Sequence, residues 1–109
     1  VGPAVERKIG MSAMSQLAID ATEWQTAQWA KDKGLYTEIF DSADEMDEGI
    51  AKLANTLANS NPEAMQMLKK VFWEGTEHWD DLLVERAAMS GKLVLSDFTR
   101  NAINKFKKK

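Results

Sequence analysis

The chain has no cysteine, two prolines, one histidine and one tyrosine among its 109 residues. The missing thiols exclude a disulfide framework, thiolate catalysis and any cysteine-based zinc or iron–sulfur site, and they suit a reducing, cytoplasmic setting. No apolar run approaches the ~20 residues needed to span a bilayer, and the opening Val1, Gly2, Pro3, Ala4 lacks the basic and apolar regions of a signal peptide. No membrane partner is therefore expected. The first residue is not methionine, which leads us to expect a segment of something longer.

What is present has the balance of one globular domain with a modest core: 44% of residues are hydrophobic and 28% charged. The formal net charge of -3 conceals an uneven layout. Lys105, Lys107, Lys108 and Lys109 crowd the end, which leaves 14 − 4 = 10 basic against 17 acidic side chains elsewhere. An acidic body offers no broad phosphate-binding face, so a nucleic-acid partner is not expected.

Helix punctuation runs almost throughout. Pro3 suits the first turn of a short helix ending at Gly10, and Ser12 can cap a second helix carrying Met14, Leu17 and Ala18. Thr26 caps a third that buries Ala27 and Ala30 and stops at Gly34. Between Leu35 and Phe40 an alternating run makes the one candidate strand. Ser42 and Glu45 form a capping box ahead of a long helix with Met46, Ile50, Leu53 and Leu57 along one stripe. Asn61 and Pro62 start the next, with Met65, Leu68, Val71 and Phe72 on its apolar face. Thr76 opens a helix bearing Trp79, Leu82 and Leu83, and Ser96 caps a last one with Phe98, Ala102, Ile103 and Phe106. Seven helices and one short strand predict a mainly α fold, a helical bundle with one short strand, over residues 1–109.

The residues at these joints follow a familiar order. The helix through Leu17 to Ala21, then Trp29, Ala30, Lys33, Gly34, Leu35 and a segment ending at Ile39, resemble a stretch of the enoyl-CoA hydratase/isomerase (crotonase) superfamily. So do Ser42 to Glu45, the helix ending Leu57, Ala58, Asn59, the start at Asn61, Pro62, Glu63, Ala64, and the joint Ser96, Asp97, Phe98, Arg100 before Phe106 and its lysines. Essentially the whole chain is covered. Gly2, Pro3, Ala4, Val5 resemble the methylglutaconyl-CoA hydratase-like branch, although Pro3 stands where many hydratases carry a second glycine.

The resemblance implies the carboxy-terminal helical, trimerisation part of a crotonase fold, without the amino-terminal ββα spiral. In that family an oxyanion hole of two backbone amides holds the acyl-CoA thioester carbonyl, and glutamates act as general acid and base. Those groups lie upstream of Val1, so no catalytic residue is assigned here, and hydratase, isomerase and decarboxylase chemistry stay open. The implied role is to build a trimer or hexamer and help cover the CoA site. CoA is substrate rather than cofactor; Lys107, Lys108 and Lys109 are the positions that match a contact to its phosphates. Their ordinary reading is a solvated helix end whose cations suit the negative dipole.

Three other constellations have plainer readings. Glu74, Glu77, His78 and Asp81 fall at helical spacings, but Gly75 stands three residues before His78 and no second histidine exists, so surface charge is expected rather than a metal site. Trp24, Trp29, Trp73 and Trp79 are scattered as packing or interface anchors, with bare faces expected around Trp24, Trp29 and Phe98. The methionines at positions 11, 14, 46, 65, 67 and 89 read as core filling. A free-standing helical interaction domain remains the competing reading of the chain.

Overall fold

The computed structural model describes residues 1–107. Six helices follow one another: α1 (Gly2–Ile19), α2 (Ala27–Asp32), α3 (Ala43–Ala58), α4 (Pro62–Phe72), α5 (Trp79–Val94) and α6 (Asp97–Lys107). The chain divides into two compact units, Val1–Met65 and Gln66–Lys109.

In the first unit α1 is two helices joined at a kink. Gly10 adopts φ 78°, ψ 165°, a conformation essentially reserved for glycine, and this interrupts the helix where the sequence places a stop. Pro3 lies in the first turn, as its missing amide allows, and is buried. Ser12, expected as a cap, lies inside the run that resumes directly after Gly10, and this is why six helices are found where seven are expected.

Thr26 Oγ1 accepts the Trp29 amide at 3.0 Å and starts α2. At the other end Gly34 takes φ 83°; its amide donates to Lys31 O at 3.0 Å and that of Leu35 to Ala30 O at 2.8 Å, the paired bonds of a Schellman stop. A side chain on Gly34 would meet the Lys8 carbonyl at 3.5 Å, so the end of α2 lies close against α1. The small core of this unit holds Pro3, Ala13 and Ala30, with Ile9, Leu17, Trp29 and Leu35 half-buried.

The strand expected from Leu35 to Phe40 does not form. Its first two amides, on Leu35 and Tyr36, both donate to Ala30 O and so serve the stop of α2, and the described residues contain no strand that could pair with the rest. At its end Phe40 folds onto α3: a Cβ on Gly49 would sit 2.5 Å from the ring, so any larger residue there would push the ring aside. Ser42 Oγ accepts the Glu45 amide at 3.2 Å, and Glu45 Oε2 reaches back to the Asp41 amide at 3.2 Å, which closes the expected capping box one residue further upstream. Asn61 Oδ1 accepts two amides, from Glu63 at 3.0 Å and Ala64 at 3.1 Å, and starts α4.

In the second unit α5 begins three residues later than the sequence suggests. Gly75 takes φ 82°, the Thr76 hydroxyl turns back to donate to Trp73 O at 2.7 Å, and the first α5 bond runs from Leu82 N to His78 O at 3.1 Å. Across this turn Trp73 and Trp79 meet edge to face with centroids 5.7 Å apart. Ser96 Oγ accepts the Thr99 amide at 3.3 Å to start α6, while Thr99 Oγ1 donates to Leu93 O at 3.1 Å. That second bond ties the first turn of α6 to the end of α5, where the two helices meet.

Two substitutions test these joints by urea unfolding followed by circular dichroism. Asn61→Ala should cost about 1 kcal/mol, because two α4 amides lose their acceptor. Gly10→Ala should cost about 1–3 kcal/mol through backbone strain alone. Unchanged midpoints would show that these end contacts do not hold the helices.

Candidate functional site

Within the first unit lies a shallow, largely open recess. It has a volume of about 360 Å³ and is lined by Leu17 from the last turn of α1, Ala21 and Trp24 from the turn after it, Trp29 from α2, and Leu35 and Tyr36 beyond. The lining is mostly apolar, and the Thr26 hydroxyl at its edge is engaged in capping α2. Such a recess can seat an apolar side chain or acyl group but brings no acid–base pair together. Trp24 projects at its rim, 96% exposed, while Trp29 on α2 is half-buried, so the bare face expected around both is found at Trp24 alone.

Apolar stripes elsewhere lie open. On α3, Met46, Ile50 (55% exposed), Leu53 (59%) and Leu57 face outward, and on α4 so do Met65, Leu68 and Phe72. Phe98 and Phe106 on α6 are 85% and 84% exposed. The expectation of methionine core filling fails accordingly: Met11, Met46, Met65, Met67 and Met89 are exposed, and Met14 alone is half-buried. Their helices have the right periodicity, but the face each stripe would fill is uncovered.

Lysine positions come next. Lys107 is exposed in the last turn of α6, next to Lys105, where the positive charges complement the helix dipole; Lys108 and Lys109 lie outside the described residues. Arg100 pairs with Asp97 at 3.9 Å across one turn, an exposed contact of little consequence for stability. Glu74, Glu77, His78 and Asp81 do not share a helix face. Glu77 Oε1 accepts the Gly75 amide at 3.3 Å in the turn, His78 occupies the cap of α5 and Asp81 lies in its first turn. Among the described residues no group of three or more His, Asp or Glu side chains could hold a metal ion, and no helix is long and apolar enough to cross a membrane.

No protein-family profile, curated protein or solved structure matches the chain. The stripes themselves are the signal that periodicity could give; the recess was not anticipated, because it gathers residues from α1, the turn and α2 around the Gly34 stop.

The exposed indole of Trp24 has a direct optical consequence. Trp24→Phe should remove the tryptophan most accessible to acrylamide, lowering the apparent quenching constant and shifting the emission to the blue. If quenching is unchanged, Trp24 is covered in solution and the recess is occupied or closed.

Proposed function

We propose that this chain is the carboxy-terminal helical segment of an enoyl-CoA hydratase/isomerase-type enzyme, that it serves oligomerisation and helps cover the CoA site, and that it has no catalysis of its own. The observation that carries this reading is the set of outward apolar stripes on α3, α4 and α6. At about 25 cal/mol per Å² of apolar surface, leaving them in water forgoes several kcal/mol that a second surface would recover. Helices patterned this way belong in an assembly.

The sequence of joints supports the family side of the proposal: the break at Gly10, the stop at Gly34, the capping box at Ser42 and the double cap at Asn61 fall at the positions where the resemblance expects helix ends. The parent enzyme would add water to an enoyl-CoA thioester through glutamates and an oxyanion hole outside this segment, on the branched-chain or fatty-acid degradation side of metabolism. Its copies would form a trimer or hexamer. Lys107, with Lys108 and Lys109, would attract the CoA phosphates as point charges.

Calorimetric titration of CoA or a short acyl-CoA into the full-length protein carrying this segment tests the assignment. Replacing Lys107, Lys108 and Lys109 with alanine should weaken binding about tenfold at low salt, with the difference shrinking as ionic strength rises. Unchanged affinity would leave these lysines as solvated charge. Absence of any CoA binding would remove the acyl-CoA assignment and favour a free-standing helical interaction domain, which the same bare stripes would suit.

A further inference from the structure

Two of the exposed stripes have opposite borders. On α6, Phe98, Ala102, Ile103 and Phe106 fall within an arc of about 140° at 3.6 residues per turn, and Lys105 and Lys107 stand at its two edges. On α3 the stripe of Met46, Ile50, Leu53 and Leu57 follows the alternating three- and four-residue spacing of a helix-pairing seam, with Asp47 the first charged side chain beyond one edge and Glu45 further round on the other, past Gly49 and Thr56. The four charged side chains at the start of α3, Asp44, Glu45, Asp47 and Glu48, are all acidic, whereas Lys105 and Lys107 lie at the end of α6.

We propose that α6 of one copy docks on α3 of a second copy, antiparallel, with the α6 aromatics in the α3 seam and the bordering lysines against the bordering carboxylates. This deepens the assembly reading above and rests on it, by naming which faces meet. Antiparallel alignment brings the basic end of α6 to the acidic start of α3 and opposes the helix dipoles, whereas parallel alignment would set Asp97 beside the α3 acids. The lengths agree: from Phe98 to Phe106 is about 12 Å along the axis, and from Met46 to Leu57 about 16 Å. The bond from Thr99 to Leu93 O holds α6 against α5 at its start, so the helix is presented already formed.

Area favours a second copy over a small ligand. Two exposed phenylalanines and their neighbours against four α3 side chains bury roughly 600–800 Å² per contact. Each copy gives one α6 and receives one, so a closed ring leaves neither stripe bare, and even a ring of two buries roughly 1,200–1,600 Å², the size of a stable interface.

The absence of cysteine makes the test clean. Chains carrying Asp47→Cys and chains carrying Lys105→Cys are mixed and oxidised, and the disulfide joining the two variants should exceed either same-variant dimer several-fold. Sedimentation of the unmodified chain should show concentration-dependent association that Phe98→Asp weakens at least tenfold. Lys105→Glu, a position outside the lysines assigned to CoA, should weaken association, and mixing it with Asp47→Lys chains should restore it. Association that ignores Phe98→Asp and Lys105→Glu overturns this docking but leaves assembly by another face standing. A monomer at every concentration overturns both. Rapid, concentration-independent closure of a chain carrying both cysteines would place α6 on its own α3 and overturn the second-copy docking. So would a monomer that binds phosphatidylserine vesicles through Lys105 and Phe98, which would make a lipid surface the occupant of α6.

Discussion

The first four amides of a helix have no acceptor within it, and in four of the six described helices a side-chain oxygen two or three residues upstream takes up one or two of them. Thr26, Ser42, Asn61 and Ser96 each accept at a helix start, and Gly34 closes α2 with two reversed bonds. These short-range contacts carry unusual weight because little lies beneath them: the buried residues are Pro3, Ala13 and Ala30. Local hydrogen bonds place the helices. Burial, which normally dominates, is left mostly unrealised.

The stripes are the counterpart of that small core. An amphipathic helix gains most of its stability from covering its apolar face, since propensity alone is marginal at lengths of 11 to 16 residues. When the cover belongs to another molecule, folding and association become linked, and apparent stability rises with concentration. In the docking of α6 on α3 proposed above, the carboxylates at the start of α3 and the lysines at the end of α6 would act on specificity, and the apolar centres would supply the holding energy.

The recess beside Trp24 and the lysines of α6 ask different things of the same chain. The recess can take an apolar group but has no polar constellation converging on it, and the α6 lysines offer charge without a cavity.

By itself the sequence determined where α2, α3, α4 and α6 begin, where α1 breaks and where α2 ends. Caps, the Gly10 break and the Gly34 stop are interactions between residues a few positions apart, and a residue type at a fixed offset is enough to specify them. The stripe on α3 was legible for the same reason, being a periodicity of one helix. Only the tertiary structure decided the rest. Leu35 and Tyr36 have the alternation of a strand, but their amides were claimed by Ala30 O, and no second strand was in reach. Trp24 and Trp29 look alike in the sequence, yet one is bare and the other is half-buried. Thr76 looked like a cap but turned back to Trp73, so α5 starts at Trp79. The methionines had core spacing and no core to enter. Each of these outcomes depends on what other part of the chain, or what other molecule, reaches a given face, and no local pattern encodes that.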